Sequence, residues 1–293
     1  MPTHTTTLTT PDGRTLAVYE GGDLAGAPIF YLHGTPGAGL LFDSHVTLAE
    51  RQAVRLIGYD RPGYGASTPQ PGRSVGDVAG DVAAIAEALE LERFAVWGVS
   101  GGGPHALACA ALPPDGLVAS ASLASPVPYD AEGVDWMAGM GELNIEEFRA
   151  ALAGRETLEP LLEAEARTFQ TLDPQGLVEV WRTILSPADE AVLSGELAAW
   201  VIETLKLGAG QRVDGWVDDD LAFVKPWGFE LSDVQVPLQL WQGRHDAFVP
   251  PWHGEWLAEH VPGVDAHLSD DDGHLTLLVN RVADVHDWLL AHF

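Results

Sequence analysis

The chain has 293 residues, 46% of them hydrophobic, which is enough to bury a large core as one α/β domain with an insertion or as two small domains. Its formal charge of −28 repels phosphate over a Debye length of about 8 Å, which argues against nucleic acid and anionic membranes as partners. The polar opening MPTHTTTLTT lacks a signal-peptide pattern, no run of eighteen apolar residues occurs, and the one cysteine, Cys109, has no intramolecular partner, so a cytoplasmic location is expected.

Thr5 to Thr9 and Thr15 to Glu20 flank an Asp12, Gly13 turn and read as an opening hairpin. Pro28 to Leu32 is a short apolar strand, followed by a helix near Phe42 to Gln52 and a fully buried strand, Val54 to Tyr59. Ser74 with Asp77 three residues on forms a variant capping box for a helix reaching about Leu89. Arg93 to Val99 then reads as a strand, Gly102 to Leu112 as a helix and Leu117 to Leu123 as a strand. Strand, helix, strand alternation predicts a mostly parallel, doubly wound sheet with right-handed crossovers.

From Val127 to about Glu230 the strand signal stops. Glu146 to Leu152, Leu158 to Leu172, Val178 to Leu185 and Asp189 to Leu207 carry helical periodicity, and the Gly- and Asp-rich stretch Gly208 to Asp220 reads as a mobile connection. The expected organisation is an α/β core over residues 1–126 and 231–293 with a helical cap over 127–230. Strand patterns resume at Pro237 to Gln242 and Val264 to Leu268, separated by a helix from Trp252 to His260, and the chain closes on a helix.

Gly98, Val99, Ser100, Gly101, Gly102 match Gly-x-Ser-x-Gly, and they fall where a strand meets a helix. A serine on that sharp turn has its Oγ exposed above the sheet, and small neighbours are needed because a Cβ beside it would collide with the next turn. Asp246 follows the strand ending at Gln242, at the carboxyl edge where open α/β sheets build sites. His274 follows the run Asp270, Asp271, Asp272, Gly273. The order Ser100, Asp246, His274 separates this arrangement from the two protease orders. Upstream, His33, Gly34, Thr35, Pro36, Gly37 end a strand and offer an oxyanion loop, with the donors expected to be the backbone N–H groups of Thr35 and Gly101; His33 is expected to brace that loop.

HGTPG, YDRPGYGAS, GVSGGG, GRHDAFVP and DGHL together resemble the α/β-hydrolase superfamily over nearly the whole chain, within its capped esterase and proline iminopeptidase-like branch. Thr35, Val99 and Gly101 depart from the HGGPG and GGSWG of proline iminopeptidases, which ranks that activity below ester hydrolysis. The resemblance implies a serine hydrolase working through an acyl-enzyme on a small, apolar substrate. Ser100 would be the nucleophile, His274 the base and Asp246 its partner, with no metal or organic cofactor.

Trp136, Met137 and Met140 are the preferred substrate contacts, since the entry to the insertion must pass near the elbow. Trp181, Trp200, Trp216, Trp227, Phe148, Phe169 and Phe223 are weighed toward packing the insertion onto the core. His105 is read as a packing or capping residue, and the Asp270 to Asp272 run as solvated rather than a calcium loop. Other readings on the same residues are a slow, receptor-like ligand binder, a lactone or carbon–carbon bond hydrolase, and an aminopeptidase. Acidic residues such as Glu142, Glu146 or Glu203 facing the pocket would favour an amine-bearing substrate, whereas an apolar lining would favour plain esters. Monomer and homodimer are both compatible with the sequence.

Overall fold

The computed structural model describes residues 4–210 and 212–293. Eight strands form one sheet: β1 (His4–Thr9), β2 (Thr15–Gly22), β3 (Ala27–Leu32), β4 (Val54–Tyr59), β5 (Phe94–Val99), β6 (Leu117–Leu123), β7 (Leu238–Gly243) and β8 (Asp265–Ser269). Their spatial order is β1-β2-β4-β3-β5-β6-β7-β8. The β1/β2 and β2/β4 pairs are antiparallel and the remaining five are parallel. The sheet is thus mostly parallel, as the alternation predicts, and the threonine hairpin adds an antiparallel edge.

Strands buried on both faces must be apolar at consecutive positions, and FAVWGV in β5 and VRLIGY in β4 show why. Phe30, Ile57, Phe94 and Val96 point to one face, where they meet α2 (Val78–Ala88), α3 (Gly102–Ala111) and α10 (Pro251–His260). Ile29, Leu56, Ala95 and Trp97 point to the other, against α1 (Asp43–Arg51) and α12 (Val282–Leu290). Period-two alternation therefore divides one continuous apolar run between two cores.

Between β6 and β7 the described residues contain helices and no strand: α4 (Glu142–Ala153), α5 (Arg155–Phe169), α6 (Pro174–Val180), α7 (Pro187–Val192), α8 (Gly195–Gly208) and α9 (Asp214–Phe223). The periodicity taken as one helix over Asp189 to Leu207 is two, broken at Leu193 and Ser194. The stretch read as a mobile connection needs a larger correction. From Asp214 onward it is helix α9, with Trp216 and Asp218 to Asp220 buried. Local composition signals a solvated loop, but partners distant in sequence neutralise these acids and pull the segment inside.

Helix α11 (Leu275–Asn280) follows β8 and presents His274 at its N-terminus. Among the described residues no helix is long and apolar enough to cross a membrane.

Candidate active site

Ser100 lies between β5 and α3 with φ at +56°, a left-handed conformation that costs a side-chain-bearing residue about 1–3 kcal/mol. The glycines around it are required by space. A Cβ on Gly98 would lie 2.1 Å from Gly102 O, and one on Gly102 would lie 2.1 Å from Leu32 O. Ser100 N–H donates to Leu123 O at 2.9 Å, which fixes the turn to β6.

The peptide planes around the elbow aim two amides at the same space. Ser100 O accepts from Gly103 N at 2.8 Å, so across the trans peptide Gly101 N–H points the opposite way, out of the α3 N-terminus. Gly34 O accepts from His33 Nδ1 at 2.7 Å and from Arg61 Nη2 at 3.1 Å, so Thr35 N–H is likewise turned away from that pair. A Cβ on Gly101 would lie 3.0 Å from Thr35 N, which places that amide beside Gly101. Among the described residues neither amide has an acceptor. His33 braces the loop, since its Nδ1 donates to Gly34 O and its Nε2 accepts from Arg61 N at 3.2 Å. Burial, and next the charge of Arg61, hold His33 well below the ordinary histidine range, so it stays neutral.

His274 and Asp246 are joined by a 2.8 Å hydrogen bond from Nδ1 to Oδ2, and both are buried. Asp246 Oδ1 accepts from Phe248 N at 2.9 Å and Val249 N at 2.8 Å, which fixes the carboxylate plane. The Phe248 ring stacks on the imidazole at 4.4 Å. Burial alone would lower the His274 pKa, but Asp246, with a smaller contribution from Asp189, raises it above the ordinary value. Ser100, His274, Thr35 and Gly101 line one cavity; no hydrogen bond links Ser100 Oγ to His274 among the described residues, and such contacts often close only around substrate.

Asp189, which sequence reasoning passed over, holds the imidazole from behind. Fully buried on α7, it accepts from the backbone N–H of His274 (3.0 Å), Leu275 (2.7 Å) and Thr276 (3.1 Å), and Ser186 Oγ donates to it at 2.7 Å. The carboxylate thus caps the first turn of α11 from the helical insertion. Such a cap is worth about 1–2 kcal/mol, and Asp189→Asn, which keeps one acceptor and sets an N–H₂ against backbone donors, is expected to lower Tm by several degrees in a thermal melt. Ser186 followed by Pro187 marks a helix start in the sequence, but nothing local reveals that the helix caps another.

Trp136 and Met140 line the cavity, and Met137 does not. Met137 packs instead against the core beside Trp136, because adjacent residues of that turn project to different sides. Six aromatic residues weighed toward packing alone, Phe148, Phe169, Trp181, Trp200, Trp216 and Phe223, also form cavity wall; Trp227 is buried elsewhere. The lining also carries Glu147, Glu165 and Asp220, while Glu142, Glu146 and Glu203 lie outside it.

Glu147 accepts from Trp216 Nε1 at 2.7 Å and lines the same cavity wall as Asp220. Both oxygens of Asp220 are buried without a hydrogen-bond partner among the described residues. Burial raises the pKa of both Glu147 and Asp220, the charge of Glu147 raises Asp220 further, and burial with the charges of Glu147 and Glu146 pushes Glu165 up to about 8.

Comparison with known proteins gives this geometry a family. The alpha/beta hydrolase fold family matches residues 27–281. The chain belongs to that family. It is 35% identical to a non-heme chloroperoxidase of Streptomyces lividans, over 83% of each chain. It is 29% identical to a probable proline iminopeptidase of Leptolyngbya boryana, over 95% of this chain and 91% of the relative. The crystal structure of bromoperoxidase from Bacillus anthracis superposes with a TM-score of 0.71 at 21% identity, covering 98% of this α/β hydrolase and 99% of that chain. The residues 127–230 expected to form a cap supply α7, α9 and most of the cavity's aromatic wall.

Proposed function

We propose that this α/β hydrolase is a serine hydrolase that opens an ester or amide bond through an acyl-enzyme on Ser100, in a small substrate whose acyl part carries a cationic amine. His274 takes the Ser100 proton as Oγ attacks the carbonyl, Asp246 holds the imidazole and stabilises the imidazolium, and the Thr35 and Gly101 amides receive the oxyanion. His274 then passes its proton to the leaving group, and water releases the acid by the reverse sequence. Residues 127–230 act as the cap over this chemistry.

The observation that carries the substrate class is the trio Glu147, Glu165 and Asp220 in the wall of a cavity whose lining away from Ser100 and His274 is mostly aromatic and aliphatic. Three carboxyls in so apolar a space cannot all ionise while empty. A substrate ammonium seated among them supplies the missing counter-charge and gains charge-assisted hydrogen bonds, each worth about 1.5–3 kcal/mol. A plain apolar acyl chain gains nothing from this group, so the expectation of an apolar substrate gives way to an aminoacyl one.

A panel of p-nitrophenyl esters and p-nitroanilides, free-amine and N-acetylated in matched pairs, tests the reading. The free-amine member is expected to have a kcat/KM at least about tenfold higher, and Glu165→Gln is expected to erase most of that preference while leaving the acetylated substrate unaffected. Equal turnover of both members would leave plain esters as the substrate class. Binding without turnover of any member would leave the receptor-like reading.

A further inference from the structure

The helical insertion contributes a buried carboxylate to the oxyanion loop as well as to His274. Asp219 on α9 is fully buried. Its Oδ2 accepts from Thr35 Oγ1 at 2.7 Å, Arg61 Nη2 at 2.6 Å and Tyr64 OH at 2.7 Å, and its Oδ1 accepts from Arg73 Nη1 at 2.6 Å. From the geometry we infer that Asp219 is a positioning residue of the oxyanion hole, setting the direction of the Thr35 amide from a helix about 180 residues away in the chain. The inference rests on the serine-hydrolase reading above.

The route from carboxylate to amide is short. Arg61 donates to the carbonyl oxygens of His33 and Gly34, and also reaches Thr35 Oγ1 at 3.0 Å. Gly34 C=O and Thr35 N–H belong to one planar peptide, so a guanidinium that holds the carbonyl on one side holds the N–H on the other. Asp219 fixes that guanidinium, and its second bond to Thr35 Oγ1 stops the residue from rotating about its own backbone.

Charge works in the same direction. Burial would raise the Asp219 pKa, but Arg61 and Arg73 keep it well below the ordinary carboxylate range, so it is ionised. An ionised carboxylate keeps its bonds to Arg61 and Thr35 charge-assisted, which stiffens the anchor behind the loop. Removing the carboxylate frees Arg61 to follow other acceptors, such as Tyr64 or solvent, and the loop then loses its anchor.

The experiment measures the rate at which a fluorophosphonate labels Ser100, together with kcat and KM on the best substrate of the panel, for wild type, Asp219→Asn, Thr35→Val and Thr35→Ser. Asp219→Asn is expected to slow labelling and lower kcat about 10- to 100-fold, with KM within about threefold, because an oxyanion donor acts on the transition state and not on bound substrate. Thr35→Val is expected to fall with it, and Thr35→Ser, which keeps the hydroxyl, to lose far less than Thr35→Val.

If Asp219→Asn does not fold, the Thr35 pair decides alone: equal losses in Val and Ser overturn the inference. Wild type labelled rapidly with Asp219→Asn labelled equally fast also overturns it, as does a rise in KM with kcat unchanged. Wild type that resists labelling at Ser100 overturns the hydrolase reading, and this inference with it.

Discussion

Ser100→Ala is expected to reduce kcat on the best ester or anilide about 10⁶-fold, to the residue of rate that a pre-aimed oxyanion hole supplies without a nucleophile. The loss is that large because the threonine hydroxyls of the cavity wall are engaged, Thr35 Oγ1 donating to Asp219 and Thr204 Oγ1 to Val201 O. Cys109 is buried on α3, and burial pushes its thiol up to about 12. Stability separates this result from unfolding. Alanine retains the Cβ that makes φ of +56° unfavourable, and Ser100 Oγ has no hydrogen bond to lose among the described residues. Ser100→Ala should therefore melt within about a degree or two of wild type. Ser100→Gly is expected to be equally inactive and about 1 kcal/mol more stable, since glycine occupies the left-handed region without that cost. Full turnover by the alanine variant in a purified, folded sample would remove Ser100 from the mechanism.

Where sequence sufficed and where it did not follows from how far apart the partners lie. The elbow is legible because its signal is contiguous: Gly98 and Gly102 lie within two residues of Ser100, although the backbone that excludes a side chain at Gly102 is that of Leu32, distant along the chain. Asp246 and His274 are legible because each sits immediately after a strand whose apolar run marks the carboxyl edge. Asp189, Asp219 and Asp220 were hidden because their meaning depends on groups distant along the chain. Asp219 is neutralised by Arg61 and Arg73, Asp218 pairs with Arg155, and burial beside Glu147 holds Asp220 well above the ordinary carboxylate range, so a stretch composed like a solvated loop becomes an interior helix.

The same physics corrects a reading of charge. Asp272 is buried, held by Ser269, Asn280 and Arg281, although the Asp270 to Asp272 run suggested a solvated turn. Here the partners stand within nine residues, so the signal was available. More broadly, the large acidic surplus is not wholly surface: Asp60, Asp81, Asp189, Asp219 and Asp246 are interior and paired with arginine, histidine or backbone donors. Acidic composition reports how many carboxylates there are, and only the fold reports where each finds its counter-charge.

Asp246→Asn is expected to lower kcat about 10⁴-fold through the proton on His274 rather than through loss of structure. Asp246 Oδ1 takes two backbone N–H groups, from Phe248 and Val249, and its Oδ2 takes the imidazole. An asparagine satisfies those two backbone donors only with its carbonyl oxygen in the Oδ1 position, which turns its N–H₂ toward His274 Nδ1. Nδ1 must then accept, the proton moves to Nε2, and the nitrogen facing Ser100 has no lone pair with which to take the hydroxyl proton. The pH profile supplies a second readout. In the wild type a protonated His274 cannot act as base, so kcat/KM falls as pH drops through a pKa that Asp246 has raised against the effect of burial. Neutralising Asp246 removes the largest raising influence and leaves burial, so the acid limb of the remaining activity should move to lower pH. A variant with unchanged kcat, or with its acid limb unmoved, would show that the carboxylate serving His274 is not Asp246.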